Sequence, residues 1–409
     1  MFRSFSNYEN DPIEGMFARL AEDTDPSKID LGIGVYRDDT GQVPVMQAVR
    51  YAEMALLERR LPKSYLSPRG NPDYCKDTEQ LVLGAKHPTL LAGRVHSIQT
   101  PGAGSALRVA AEFVHELAPD SRVWLSSPAW FHQVEFFAKA GMEQCTYRYY
   151  DQHNSLLLFE DMLQDLSQMR AGDLLLLHGC CHNPTGQDLS LGQWQSIADI
   201  VLETGAVPFI DVAYQGFGKG IEEDVAGLRL ITKQVPQALF AVSSSKSFGI
   251  YRERAGMLSV VTAPDTIDVN SVRRKLRDTA RQLYFMAPDH GAAIIHEILS
   301  TPKLEQLWRD ELNQMRANVI AKRSALRKTI EAENPGFDAA FIDAQQGMFS
   351  CLPIDAEEQR YLEDQFHIYM LPDARVNVAA MSANQAVTLA QAFRTVRDRR
   401  LAQVSTNSG

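Results

Sequence analysis

The sequence predicts an α/β protein: a mostly parallel seven-stranded sheet with helices on both faces, joined to a smaller α+β domain. Three observations carry this reading. The middle of the chain alternates short apolar runs with longer segments of helical periodicity. The short runs are apolar almost throughout, not at every second residue, as strands covered on both faces are. From about residue 300 the pattern changes to long charged helices with a few short strand candidates.

The elements follow in order. "VHSIQT" (95–100) is a strand, and "SALRVAAEFVHEL" (105–117) has apolar residues at helical spacing. "RVWLSS" (122–127) leads into a helical "HQVEFFAKAG" (132–141), and "CTYRYY" (145–150) precedes the helix "FEDMLQDLSQM" (159–169). "DLLLLHG" (173–179) is an apolar run of strand length, and "LGQWQSIADIVLETG" (191–205) is an amphipathic helix closed by glycine. "AVPFIDVAY" (206–214), "ALFAVSSS" (238–245) and "GMLSVVTA" (256–263) complete the set of strands. Beyond them, "KLEQLWRDELNQMRANVIAKRSALRKTIEA" is helical. "GMFSCLPI" (347–354) and "ARVNVAAM" (374–381) are short strands, and "SANQAVTLAQAFRTVRDRRL" is a last helix.

Composition excludes several functions. The 409 residues, 45% hydrophobic and 22% charged, suffice for two domains of ordinary globular type. No apolar run approaches the roughly 18 residues that span a bilayer. The opening "MFRSFSNYENDPIEGMFARL" lacks the basic-then-apolar design of a secretory signal, so a cytoplasmic protein is expected. The 5 cysteines have neither zinc spacing nor a disulfide framework, so reduced thiols and no metal are expected. A net charge of −10 disfavours a nucleic-acid surface, yet small anions need only a local cluster of arginines.

In α/β sheets, ligands sit beyond the carboxyl ends of the strands. Those ends carry "TPGAGSALR", "HGCCHNPTG", "DVAYQGF" and "SSSKSFG". "PGAGSAL" places Gly104 and Ser105 near a helix start, where free N–H groups and the helix dipole suit an anion. A serine-capped turn has the same residues. Asp211 closes an apolar strand, and a buried carboxylate needs a positive partner such as a protonated heterocycle nitrogen. Tyr214 follows three residues on, and "HNPTG" is a rigid turn that presents the Asn183 amide. Lys246 stands among small residues after a strand, where lost hydration lowers a lysine pKa and makes it a Schiff-base former. The three serines 243–245, with Arg254, suit a phosphate beside it. Each feature alone also has an ordinary structural reading. Together they match the needs of pyridoxal phosphate: an amine, a carboxylate for the ring nitrogen, donors for the ring oxygen and an anion site.

At this point the sequence resembles the fold-type I, class I pyridoxal-phosphate-dependent aminotransferases, in their aspartate and aromatic amino acid subgroup. The resemblance runs nearly end to end. It rests on "DLGIGVYRDDTG" (30–41), "YLSPRGNPDY" (65–74), "PGAGSALR", "SSPAW", "HGCCHNPTG", "DVAYQGF", "SKSFGIYRERAG" and "ARVNVAAM", in the family's order. It implies an N-terminal arm (1–12), a small domain (13–44 and 305–409) and a large cofactor-binding domain (45–304). It implies that Lys246 forms the Schiff base and moves the proton, and that Asp211 holds the pyridine nitrogen protonated. Asn183 and Tyr214 would bond the ring oxygen, and Trp130 would stack on the ring. Gly104, Ser105, Ser243, Ser245 and Arg254 would hold the phosphate. Arg375 would bind the substrate carboxylate beside Gly34, Trp130 and Asn183. Tyr65 and Arg281 would serve the neighbouring subunit of a homodimer, Arg281 through the distal carboxylate, at its offset of nine residues before His290.

Departures from the family pattern bear on cofactor and substrate. The phosphate-loop hydroxyl has moved to Ser105. Gln133 stands where the family has a histidine third after Trp130, which leaves His178 as the expected partner of Asp211. Val43, Leu283 and Met286 make the substrate region more apolar than in strict aspartate enzymes. The expected activity is a ping-pong transfer from an aromatic amino acid or aspartate to 2-oxoglutarate or oxaloacetate. A strict aspartate aminotransferase is the alternative, β-lyase or decarboxylase side activities stay open, and a non-catalytic binding protein on the same fold would lack Lys246 or Arg375.

Overall fold

A computed structural model of the chain describes residues 12–407 apart from Leu61 and Ile267, so all but the last residue of the expected arm 1–12 lies outside it. Seven strands form one sheet: β1 (Val95–Pro101), β2 (Val123–Ser127), β3 (Gln144–Arg148), β4 (Leu174–His178), β5 (Val207–Val212), β6 (Ala238–Ser243) and β7 (Ala255–Val261). Their order across the sheet is β1-β7-β6-β5-β4-β2-β3. Neighbours run parallel except β7, which is antiparallel to both β1 and β6. Because β7 is inverted, its first residue lies at the carboxyl end of the other strands. Arg254, immediately before it, is delivered to that end.

The continuous apolar runs have a direct cause. Leu174 and Leu176 pack into a core on one face of the sheet, Leu175 and Leu177 into the core on the other. Phe209 and Ile210 divide in the same way, as do Leu239 and Phe240. Burying each such side chain contributes roughly 1.5–3 kcal/mol, so both faces drive folding. One expected strand is shorter than its apolar pattern. β3 stops at Arg148, and Tyr150–Asp151 pair instead with Leu156–Leu157 in a separate hairpin. Tyr149 leaves the sheet to bury its ring, with its hydroxyl donating to the Gln187 carbonyl at 2.6 Å.

A second core gathers Ile29 and Leu31 with Leu326, Ile330, Leu352, Val376 and Phe393. Two short pairings frame it: Ile29–Asp30 parallel to Ile368–Tyr369, and Phe349–Cys351 antiparallel to Arg375–Asn377. The 32-residue helix Pro302–Glu333 joins the two cores. Its Trp308, Leu312, Met315 and Val319 belong to the sheet's core, while Leu326 and Ile330 belong to the second. Trp308 also braces the loop after β6: its indole N–H donates to the Ser247 carbonyl at 2.8 Å, and its ring stacks on Phe248.

Candidate active site

The carboxyl ends of the strands surround a cavity of about 380 Å³. β5 brings Asp211 to it, with Tyr214 just beyond, and the turn after β4 brings Asn183. Ser243 ends β6, and Ser245 and Lys246 follow; Arg254 enters ahead of β7, and Trp130 from beyond β2. Gly104 lies on the opposite wall, in the helix after β1. Two larger cavities, about 450 and 680 Å³, are lined by no residue from the carboxyl ends of the seven-stranded sheet. Chemistry, not size, selects this one.

The Lys246 amine lines the cavity 4.7 Å from the centre of the Tyr214 ring. Burial is the main cause that lowers its pKa to about 8; Arg254 and Arg375 push the same way, and Asp211 opposes them. The carboxyl of Asp211 is raised to about 6, chiefly by burial, against a hydrogen bond from Gln133 and the charge of Lys246. Gln133 Nε2 donates to Asp211 Oδ2 at 3.0 Å, while Oδ1 is buried with no hydrogen-bond partner. A buried, unsatisfied carboxylate oxygen is costly and marks a missing donor.

Opposite, Arg254 Nη1 donates to Ser245 Oγ at 3.2 Å. Gly102, at φ +80°, lies so close that a Cβ there would collide with the Arg254 guanidinium. The result is a cradle of guanidinium, hydroxyls and a helix N-terminus, suited to a phosphate. Arg375 is buried beside it. Its Nη1 donates to Asn183 Oδ1 at 2.7 Å and its Nη2 to the Gly32 carbonyl at 2.9 Å, while its Nε is buried and unpaired. The guanidinium lies over the Phe349 ring at 4.1 Å, and Gly34 leaves room for that same ring.

The structure gathers Gly104, Trp130, Asn183, Asp211, Tyr214, Ser243, Ser245, Lys246 and Arg254 around one cavity, with Arg375 joined through Asn183. Three expectations are corrected. Ser105 does not line the cavity: the helix starts at Gly102, and the Ser105 hydroxyl donates back to the Pro101 carbonyl at 3.2 Å. Ser244 points to the other side of the loop, where its hydroxyl pairs with that of Tyr74 at 3.0 Å. Asp211 is held by Gln133, and His178 stands one step further back, with its Nε2 3.3 Å from Gln133 Oε1.

Tyr65 and Arg281 lie outside the cavity of their own chain. Tyr65 is 86% exposed, with its ring edge-on to Phe285, and Arg281 is exposed on the last turn of the helix Val269–Tyr284. Val43 and Leu283 are likewise exposed, and Met286 Sδ accepts the Leu66 N–H at 3.1 Å. Sequence reasoning missed Gly102, Gly32 and Phe349. A glycine between Pro101 and a helix was the available signal for the first; the other two depend on the fold alone.

Elsewhere, Cys180, Cys181 and Asp224 place potential metal-ligand atoms within 4.8 Å of one another. The Asp224 carboxylate is already occupied there by the N–H groups of Gly216, Gly218, Lys219 and Gly220. No described helix is long and apolar enough to cross a membrane.

A parallel sheet that presents a desolvated lysine, a buried aspartate with one free oxygen and an arginine-lined anion cradle defines a pyridoxal-phosphate enzyme. More closely, residues 26–393 match the model of the family "Aminotransferase class I and II", and the chain belongs to that family. It is 39% identical over 393 residues to an aspartate aminotransferase of Salmonella typhi, covering 96% of this chain and 99% of that one. It is 40% identical over 383 residues to an aromatic-amino-acid aminotransferase of Paracoccus denitrificans, covering 94% and 96%. Among solved structures it resembles an aromatic-amino-acid aminotransferase from Burkholderia pseudomallei covalently bound to pyridoxal phosphate. That match has a TM-score of 0.92 at 37% identity over 97% of this chain and 99% of the other.

Proposed function

We propose that this chain transfers an amino group from an aromatic amino acid or aspartate to 2-oxoglutarate or oxaloacetate, with its own residues in the following roles. Bound in the cavity, pyridoxal phosphate supplies an aldehyde that condenses with amines and a ring that accepts electrons. Arg254, Ser243 and Ser245 hold the phosphate, and the backbone at Gly104 borders it. Asp211 Oδ1, the carboxylate oxygen without a donor, would accept a hydrogen bond from the protonated ring nitrogen and keep it protonated, and Asn183 and Tyr214 would serve the ring oxygen. Trp130 covers the ring. Lys246, with a pKa near 8, has the balance of protonated and neutral forms that a group giving and taking a proton at the substrate Cα requires. Arg375 binds the substrate carboxylate through its free Nε edge, oriented by Asn183 and Gly32 and backed by Phe349 and Gly34.

The observation that carries this reading is the pairing of Lys246 with Asp211 in one buried cavity, the amine pushed down and the carboxyl up by burial. The test is a half-reaction. Holoenzyme mixed with aspartate or phenylalanine, without any oxo acid, should release one 2-oxo acid per active site and change its visible spectrum. A later addition of 2-oxoglutarate should restore the spectrum. No release with either donor would refute the proposal.

We also propose a homodimer whose partner supplies Tyr65 and Arg281, a cytoplasmic setting, and the domain division 13–44 with 305–409 against 45–304. Exposed apolar residues support the dimer: Tyr51, Met54 and Leu57 recur on one face of the helix Gln47–Arg59, and Tyr65 and Phe285 stand together. The separate cores support the division, with Pro302–Glu333 as the element they share. The exposed Val43 and Leu283, with Met286, favour an aromatic side chain at the substrate end the partner would cover.

A further inference from the structure

We propose that Gln133 is the positioning residue for Asp211: its side-chain amide, a donor that carries no charge at any working pH, fixes one carboxylate oxygen and so presents the other to the cofactor's ring nitrogen. The inference rests on the proposed role of Asp211. Gln133 and Asp211 are both buried, and Gln133 Nε2 to Asp211 Oδ2 is 3.0 Å. The amide has one possible orientation. A carboxylate only accepts, so Nε2 must face it; His178 Nε2 stands 3.3 Å from both Nε2 and Oε1 of the same amide, and its tautomer decides which of the two it pairs with. His178 and Asp211 sit side by side in the register of β4 and β5, so one amide spans both.

The backbone fixes where that amide starts. Gln133 lies in the first turn of the helix Phe131–Lys139, and its N–H donates to the Trp130 carbonyl at 2.9 Å. The residue that covers the ring and the residue that orients the aspartate therefore come from one turn.

The titratable groups around Asp211 are few. Lys246 and Tyr214 face it from the cavity, His178 lines the same cavity beside it in the register of β4 and β5, and His182 lies beyond His178, ring centres 4.4 Å apart. Burial keeps both histidines neutral. The hydrogen bond from Gln133 is the contact that favours the charged form of Asp211 independently of Lys246. Without it, Asp211 would stay protonated to higher pH, and a neutral carboxyl cannot hold a protonated ring nitrogen.

The test uses the full chain stripped of cofactor and titrated with pyridoxal phosphate from pH 6 to 9, reading Kd by equilibrium dialysis and the pH dependence of the visible band. Gln133→Met keeps the side-chain length and removes the donor. It should bind at least about tenfold more weakly, the loss of one hydrogen bond to a charged group, and the deficit should grow as pH falls. Gln133→Asn, polar but too short, should behave alike, and Gln133→His, which restores a donor, should recover most of the affinity. A deficit equal at every pH, or none in both variants, would overturn the proposal, provided that Asp211→Asn still weakens binding. If Asp211→Asn binds as tightly as the unaltered protein, the role of Asp211 itself fails, and with it this inference.

Discussion

Replacing Arg375 by lysine separates a positioned guanidinium from a mere positive charge. Arg375 is buried, is held by Asn183 Oδ1 and the Gly32 carbonyl, and keeps its Nε free. Lysine retains the charge but loses the planar fork, so a bidentate carboxylate contact becomes a single one. Losing one charge-assisted hydrogen bond costs about 1.5–3 kcal/mol, and leaving an acceptor such as the Gly32 carbonyl unmatched adds about 1–3 kcal/mol. The sum, about 2.5–6 kcal/mol, corresponds to roughly 10²- to 10⁴-fold in kcat/KM at about 1.36 kcal/mol per decade. The assay is steady-state transamination with aspartate and with phenylalanine, 2-oxoglutarate as acceptor. Both donors should fall together, because each presents the same carboxylate, while bound cofactor measured by absorbance stays near normal. A drop below tenfold, or one confined to a single donor, would refute the assignment of Arg375.

Other outcomes follow from the same geometry. The folded value of Asp211, about 6, lies above the ordinary 3.8, so the cofactor-free protein keeps that proton longer than the unfolded chain. Its contribution to stability is complete below about pH 3.8 and is lost as pH rises through about 6. Denaturant unfolding of the cofactor-free protein should therefore show Asp211→Asn gaining about 2–3 kcal/mol relative to the unaltered chain between acid and neutral pH; parallel pH profiles would contradict this. Capture of pyridoxal phosphate by the cofactor-free protein should speed up with pH and level off above about 8, where Lys246 is neutral, as stopped-flow absorbance would record. Gly102→Ala forces a side chain into the Arg254 guanidinium at a positive φ and should weaken cofactor binding at least about tenfold; unchanged affinity would mean the cradle is not the phosphate site. Mixing Lys246→Ala with Arg281→Ala protein should restore part of the activity towards aspartate if the partner supplies Arg281, and none if each chain is self-sufficient.

Much of this was legible in the sequence because burial on both faces writes itself as unbroken apolar strands, and the reactive residues stand just past their ends. Lys246, Asp211 and Asn183 needed only that rule. What the sequence concealed depends on direction and register. Ser243 and Ser245, which the family resemblance already set apart from Ser244, face the cavity, but the Ser244 contact with Tyr74 was not legible. Ser105 was misplaced because the helix begins three residues earlier, at Gly102, so its hydroxyl satisfies a carbonyl of its own first turn. Gln133 was visible as a departure, yet its bond to Asp211 depends on how the helix after β2 packs over the end of β5, which no linear motif encodes. Arg254 reaches the site only because β7 is inverted within a largely parallel sheet.

The central claim is that Lys246 is the residue that engages the cofactor. The most direct measurement reduces the pyridoxal-phosphate-loaded protein with borohydride, digests it and maps the added mass by tandem mass spectrometry. The expected result is a single pyridoxyl-phosphate adduct on the peptide containing Lys246, absent when Lys246→Ala is treated identically. An adduct on another lysine, or an adduct and visible band that persist in Lys246→Ala, would contradict the account.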